Sequence, residues 1–127
     1  MTATIPSTVI YGIKSCTTVR KARKWAEAEG LDHTYADFAD LGEDLPAAIS
    51  RWFDKAGQDK VMNTRSTNFK ALPEAEREQM ENDADYAVQK LAEDPRMLKR
   101  PVLETERGVV TGFDVGEWII RSPPVLD

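Results

Sequence analysis

The segment Val9–Trp25 constrains the fold of this chain more than any other stretch. Residues 8–12 are rich in Val, Ile and Tyr, which predicts a short strand, and Gly12 lets the chain turn. Residues 33–38 alternate in polarity and predict a second strand. A strand, a helix of about three turns and a second strand form a βαβ unit, whose crossover is right-handed. The apolar positions at helical spacing between the two strands are Val19, Ala22 and Ala26.

A helical insertion is predicted after this unit, over about 43–95. Its proline and apolar pattern predicts a helix over 46–56, a second helix that starts at Pro73 and a third over 83–91. The intervening residues 63–68 predict a polar loop. An insertion of about three helices is large for a connection, so we treat it as a subdomain.

The last part of the chain predicts two strands and a short helix. Residues 102–104 and 109–111 fit an antiparallel hairpin whose turn ends in Gly108, and Asp114 is available to cap the final helix. The order β-α-β, helical insertion, β-β-α is that of a thioredoxin-like fold, so we predict an α/β (α+β) protein with one domain over 1–127. We place the thioredoxin-like core at about 8–40 and 97–121 and the helical insertion at about 43–95.

Composition and charge argue against several classes of function. The 127 residues suffice for one domain with a modest core, and no apolar run approaches the length of a membrane span. The N-terminus lacks the features of a signal peptide, so we expect a cytoplasmic protein, and nothing indicates an obligate oligomer rather than a monomer. The net charge of −5 argues against direct nucleic-acid binding. We expect no metal site.

Charge is unevenly distributed along the chain. Residues 14–24 contain five bases and no acid, whereas residues 73–95 contain eight acids and two bases. Both segments fit solvated helix faces, which is what charge runs usually are. The basic segment is of further interest because it adjoins Cys16.

Cys16 is the only cysteine of the chain. A lone cysteine is more often an inert buried side chain than a nucleophile. Here it lies in a strand-to-helix loop, where free N–H groups, the helix dipole and the nearby Lys14 and Arg20 favour a thiolate. We expect Thr17 or Thr18 to cap the helix. The same loop geometry binds anions, with Lys14 and Thr17 as candidate ligands.

An internal disulfide is not available to Cys16, because the residue three positions later is Val19 and not a second cysteine. Any redox cycle therefore needs an external thiol, and glutathione is the obvious one in a cytoplasm. A thiolate beside an anion pocket suits attack on a disulfide or on an oxyanion substrate.

Two arginines are candidate anion ligands. Arg100 precedes Pro101 just before a predicted strand. Most prolines there are trans, but in a thioredoxin-like fold this position is the cis-proline that faces the nucleophile loop. Arg100 would then lie near Cys16 and grip an oxyanion or carboxylate with two hydrogen bonds. Arg65 is a second candidate, with a solvated loop arginine as the equal alternative. His33 has no partner in the sequence and is predicted to be structural.

Four motifs carry a family resemblance: Tyr-Gly-Ile-Lys-Ser-Cys-Thr-Thr-Val-Arg-Lys-Ala-Arg-Lys-Trp (11–25), Asn-Thr-Arg-Ser-Thr (63–67), Leu-Lys-Arg-Pro-Val-Leu (98–103) and Gly-Phe (112–113). Together they resemble the ArsC/Spx family, most closely its YffB-like branch, over Val9 to Trp118. The resemblance implies a thioredoxin-like core with a helical insertion. It also implies Cys16 as the nucleophile, Arg100 as an anion ligand and Pro101 as the cis-proline.

The match to the arsenate reductases of this family is partial. In those that couple to glutathione, the cysteine attacks arsenate held by three arginines. Here Gly12 replaces a histidine of the family, Asn63 aligns with the first arginine (with Arg65 close by) and Phe113 aligns with the last. The resemblance therefore implies a glutathione-dependent thiol reductase that uses Cys16 alone and reduces arsenate poorly. Its substrate would be a small anion, a thiol or a disulfide.

A regulator is the alternative that the resemblance leaves open. The Spx branch binds the C-terminal domain of the RNA polymerase α subunit and regulates transcription, and many of its members carry a Cys-x-x-Cys redox switch. Val19 removes that switch from this chain. Polymerase binding does not strictly require the switch, so a Spx-like partner of RNA polymerase remains the second hypothesis.

Overall fold

The computed structural model describes residues 8–122 of the chain. These residues divide into two compact units. The sheet unit contains the described residues up to Asp40 and from Arg100 onward, and the helical unit is Leu41–Lys99. No helix among the described residues combines the length and the apolar character that a membrane crossing demands.

The sheet unit is built on four strands: β1 (Val9–Gly12), β2 (Thr34–Asp37), β3 (Val102–Thr105) and β4 (Gly108–Thr111). They form one sheet in the order β2-β1-β3-β4. β1 pairs with β2 in parallel, as a βαβ crossover requires, whereas β1 with β3 and β3 with β4 are antiparallel. The predicted hairpin is therefore confirmed, and so is the α/β class with a thioredoxin-like βαβ…ββα core and an inserted helical part.

Seven α-helices occur in residues 8–122: α1 (Thr17–Ala28), α2 (Leu45–Ala56), α3 (Gln58–Val61), α4 (Thr67–Lys70), α5 (Glu74–Asn82), α6 (Ala84–Glu93) and α7 (Val115–Arg121). Two 3-10 segments cover Phe38–Asp44 and Pro95–Met97. α1 and α7 belong to the sheet unit, and the other five α-helices lie within the helical unit.

The expectation of about three helices in the insertion is wrong, because α3 and α4 went unpredicted. Each has only four residues, which is too short to show an apolar period. α4 begins inside the segment predicted as a polar loop, where Ser66 Oγ accepts the N–H of Phe69 at 3.1 Å and caps the helix. Side-chain capping thus favours a helical turn that the composition alone does not indicate.

The predicted threonine cap of α1 is also wrong. Cys16 is itself the N-cap residue, with extended backbone angles of φ −75° and ψ 125°, and Thr17 and Thr18 are the first two helical residues. The reason lies in the preceding turn, which closes when the N–H of Cys16 donates to the carbonyl of Ile13 at 2.9 Å. The helix can begin only after that turn is complete. The cysteine therefore occupies the position where a side chain faces the free helix amides.

The core of the sheet unit joins its strands to both of its helices. Trp118 of α7 is fully buried, and its Nε1–H donates to the carbonyl of Gly112 at 2.9 Å. A buried indole needs such a partner, so this bond fixes where α7 lies relative to β4. The residues of the buried cluster are Ile10, Ala22, Ala26, Leu31, Leu103 and Trp118.

A close approach between β1 and α1 explains the glycine at position 12. A Cβ atom on Gly12 would lie 2.7 Å from Cγ2 of Val19, a distance that real Cβ contacts do not show. Val19 is fully buried and cannot move into solvent. The end of β1 and the first turn of α1 therefore pack together only if residue 12 has no side chain.

We expect Gly12→Ala to lower the free energy of unfolding by about 1–3 kcal/mol, because the new methyl group overpacks against Val19. Urea denaturation followed by circular dichroism measures the effect. The matched control is the double variant Gly12→Ala/Val19→Ala, in which the clash is removed. Its loss of stability should be smaller than the sum of the two single losses, and simple additivity would contradict the clash.

Candidate functional site

Cys16 lies where β1 passes into α1, in the loop that follows Gly12. Its side chain is half-buried and makes no disulfide. The thiol does not complete a capping hydrogen bond in the structure, although Cys16 is the N-cap residue of α1. The N–H groups of Val19 and Thr18 are nevertheless close enough to stabilise the sulfur when it is charged. The sulfur is thus placed where a helix N-terminus receives an anion.

The loop before Cys16 is held by a residue that the sequence analysis missed. Asp37 Oδ2 accepts the backbone N–H of Lys14 at 3.0 Å. Asp37 stands directly opposite Gly12 in the parallel register of β1 and β2, so both strands end at the same edge of the sheet. The N–H of Asp37 is in turn bonded to Asp40 Oδ2 at 3.0 Å. The sequence does contain a signal for this role, because Asp37 is a carboxylate at the end of the strand that pairs with β1, and β1 leads into the Cys16 loop.

Arg100 and Pro101 reach the thiol from the start of β3. The Arg100–Pro101 peptide bond is cis, which is the geometry that the family resemblance implies. The carbonyl of Pro101 accepts the N–H of Gly112 at 2.8 Å, and Val102 immediately pairs with Tyr11 of β1. This pairing places the side chain of Arg100 within hydrogen-bonding reach of the Cys16 thiol. Two residues 84 positions apart in the sequence therefore meet because β3 lies beside β1.

Opposing effects act on the pKa of Cys16. Partial burial, the largest of them, raises the pKa because it removes water from the thiolate. The N–H of Val19, the side chain of Arg100 and the N–H of Thr18 all lower it by hydrogen bonding, and the charge of Arg100 adds to the same direction. The lowering effects prevail, so the pKa of the Cys16 thiol lies below its ordinary value. More of the nucleophilic thiolate is then present at neutral pH.

The other predicted site residues are placed as follows. Lys14 lies in the nucleophile loop with its side chain exposed, and Thr17 is the exposed first residue of α1. Arg65 belongs to the helical unit, where it is exposed and its backbone N–H donates to Asn63 Oδ1 at 3.1 Å. The structure thus brings Arg100 to the thiol of Cys16, with Lys14 and Thr17 on the adjoining loop and helix end.

Phe113 takes part in an aromatic cluster. Its ring packs edge-on against Trp118, with centroids 5.0 Å apart, and against Trp25, with centroids 5.9 Å apart. Trp25 and Trp118 also pack edge-on, at 5.9 Å. Such pairs stabilise a core beyond the area they bury. The position that the family resemblance aligns with the last arginine of the arsenate reductases therefore serves packing in this chain.

Among residues 8–122, no group of three or more His, Cys, Asp or Glu side chains is arranged to hold a metal ion. The chemistry that the site itself offers is nucleophilic. A thiolate with an adjacent guanidinium and two helix amides can attack a sulfur or an oxyanion centre, and the same donors can hold a negatively charged group.

Comparison with known proteins identifies one family. The family model described as ArsC family matches residues 11–119. The regulatory protein MgsR of Bacillus subtilis is 30% identical over 116 residues, which cover 88% of this chain and 87% of MgsR. A solved YFFB protein is 31% identical with a TM-score of 0.81, covering 91% of this chain and 99% of its own. An arsenate reductase (ArsC) related protein from Brucella melitensis is 34% identical with a TM-score of 0.70, covering 94% and 97%.

We expect the rate of Cys16 alkylation by iodoacetamide to rise with pH and level off, with a midpoint below the free-cysteine value of about 8.5. Arg100→Gln should move this midpoint upward, because the thiolate loses both a hydrogen bond and a positive charge. The matched control is Lys70→Gln, which removes one exposed cation of the helical unit and should leave the midpoint in place. A wild-type midpoint at or above about 8.5 would contradict the assignment.

Proposed function

Because this chain belongs to the ArsC family, in its YffB-like branch, we propose that it is a glutathione-dependent thiol reductase with Cys16 as its nucleophile. The observation that carries the proposal is the lowered pKa of a thiol that has Arg100 and two helix amides beside it. A thiolate is the reactive form of cysteine, and neighbouring positive charge and helix N-termini are what favour it in reactive sites. A merely structural cysteine would need none of these neighbours.

The reaction proceeds by thiol–disulfide exchange. The Cys16 thiolate attacks one sulfur of a disulfide substrate, forms a mixed disulfide and releases the other sulfur as a thiolate, which takes up a proton. Since Cys16 is the only cysteine, a first glutathione thiolate attacks the Cys16 sulfur of the mixed disulfide, forms a Cys16–glutathione disulfide and releases the second substrate sulfur as a thiolate, which takes up a proton. A second glutathione releases Cys16 and leaves as oxidised glutathione. Two electrons pass from two glutathione molecules to one disulfide.

Arg100 is the anion ligand in this proposal. Its guanidinium holds a carboxylate of glutathione or an anionic group of the substrate beside the reacting sulfur, as arginine does with planar anions. Lys14 and Thr17, on the loop and helix end that adjoin Cys16, are proposed as further contacts of the anion. Efficient arsenate reduction is not expected, because Asn63 and Phe113 occupy positions where an arginine would be needed to hold a tetrahedral oxyanion.

The family match spans residues of both compact units, which supports one ArsC-like domain over 1–127 with a helical insertion. A single unpaired thiol suits a reducing compartment, so we place the protein in the cytoplasm and expect a monomer.

Treatment with oxidised glutathione should add one glutathione to Cys16, because the thiolate attacks the disulfide and the second thiol leaves. Mass spectrometry of the intact protein and of its peptides detects the adduct. Cys16→Ser should remain unmodified and should lose glutathione-coupled reductase activity, while the wild type should turn over arsenate slowly. Failure of the wild type to form the adduct would contradict the glutathione step. Fast arsenate turnover would contradict the proposed substrate preference.

A second candidate function is regulation of transcription, and the observation that favours it is the 30% identity to a regulatory protein, MgsR. Under this second proposal the chain is a Spx-like partner of the RNA polymerase α subunit. It has no Cys-x-x-Cys redox switch, because residue 19 is Val. Binding would use the folded surface and not the thiol.

A pull-down with the C-terminal domain of the α subunit separates the two functions. If the protein is only a regulator, wild type and Cys16→Ser should bind the α-subunit domain equally, and neither should show thiol reductase activity. Absence of binding by a folded wild-type protein would eliminate this second function. Binding together with Cys16-dependent turnover would mean that the protein has both.

A further inference from the structure

We propose that the oxidised partner reduced at Cys16 is a cysteine within an acidic polypeptide segment, an inference that rests on the proposed function. The inference is drawn from four cations that run from the loop of Cys16 along α1, which we call the cationic strip. They lie on the nucleophile loop and along the exposed side of α1, and they are Lys14, Arg20, Lys21 and Lys24.

The cationic strip is exposed and has no side-chain partner among the described residues. All four side chains are exposed, and within residues 8–122 none of them makes a hydrogen bond or an ion pair. Arg23, the remaining cation of this segment, behaves differently, because its guanidinium lies 4.0 Å from the ring centroid of Tyr35. A cation that contributes to the folded structure makes an internal contact of this kind. The four cations of the strip are left to interact with solvent or with a partner.

The strip is aligned with the thiol by helix geometry. Arg20 and Lys24 follow Cys16 by four and eight residues, which puts them on the same side of α1 as the sulfur. Helical side chains tilt toward the helix N-terminus, so both cations lean toward the thiol. From Cys16 to Lys24 the strip extends about 12 Å, the length of roughly four residues of an extended peptide.

Few acids of the sheet unit counter this charge near the sulfur. The first turn of α1 has no acid, and the only acid of this helix, Glu27, lies in its last turn. The carboxylates of Asp37 and Asp40 accept the backbone N–H groups of Lys14 and Asp37, respectively. Along α1 the cations outnumber the one acid, and this local excess of positive charge favours the approach of an anionic partner.

A polypeptide fits this surface better than a nucleic acid does. The thiolate at the end of the strip needs a sulfur to attack, which a cysteine-containing segment provides and a nucleic acid lacks. The net charge of −5 also repels a polyanion from the molecule as a whole, whereas a short acidic segment is small enough to experience chiefly the local field.

The test uses three synthetic peptides with one central cysteine activated as the 2-pyridyl disulfide, flanked by Glu, by Gln or by Lys. The Cys16 thiolate attacks the peptide sulfur, a new Cys16–peptide disulfide forms, and 2-thiopyridone leaves with a proton, which is followed by absorbance. The measured quantity is the ratio of the second-order rate constants for the Glu and the Gln peptide. Within one variant this ratio cancels any change in the amount of thiolate.

For the wild type at low ionic strength we expect the Glu peptide to react about tenfold faster than the Gln peptide and the Lys peptide to react slowest. The ratio should fall toward one as salt is added. Arg20→Gln and Lys24→Gln should each lower the ratio about two- to threefold, the effect of one charge at this range. The matched control Lys70→Gln changes the net charge equally but lies in the helical unit, and it should keep the wild-type ratio.

Each contrary result has a distinct meaning. A wild-type ratio near one, or an equal decrease in Lys70→Gln, would overturn the proposal while leaving the reactive thiol intact. Competition by a single-stranded DNA oligonucleotide as strong as that of an unactivated Glu peptide of equal charge would also overturn it, in favour of general polyanion binding. If none of the three peptides releases 2-thiopyridone, or if Cys16→Ser releases it as fast as the wild type, Cys16 is instead rejected as the nucleophile.

Discussion

The contact between Gly12 and Val19 is the constraint on which the site depends. Because residue 12 has no side chain, the first turn of α1 packs directly against the end of β1. The helix begins at Thr17, immediately after the turn that the N–H of Cys16 closes with the carbonyl of Ile13, and its free amides lie beside the sulfur of Cys16. A larger residue at position 12 would move the helix away and, with it, the donors that stabilise the thiolate.

The same packing limits what the site can bind. A histidine at position 12 is incompatible with a buried Val19, so the thiol has no imidazole at that point. Phe113 packs in the aromatic cluster with Trp25 and Trp118, so position 113 contributes ring packing and no positive charge. The chain thus keeps Cys16 and Arg100 together, while the positions that the family resemblance aligns with a histidine and an arginine of arsenate reductases serve packing.

Helix α1 contributes both to the core of the sheet unit and to its charged surface. One side, with Val19, Ala22 and Ala26, is fully buried and joins the core. The opposite side carries exposed cations that continue from the loop of Cys16 along the helix and that make no ion pair within the described part of the chain. An amphipathic helix that starts next to Cys16 therefore anchors the sulfur to the sheet and leaves its cations exposed. Under the proposed function, substrate preference and stability could change independently, because they would depend on different faces of one helix.

The sequence by itself determined the order of elements in the sheet unit, the hairpin and the strand-to-helix position of Cys16, because strand composition, apolar spacing and the place of one cysteine are local properties. It did not determine α3, α4 or the N-cap of α1, since four-residue helices have no period and since the turn at Ile13 decides where α1 begins. Only the tertiary structure decided that Asp37 holds the loop, and it brings Arg100 to the thiol, which the sequence indicated only through the assumed thioredoxin-like fold. Both depend on which strands lie beside β1, and strand neighbours are set by long-range packing that no single stretch of sequence records.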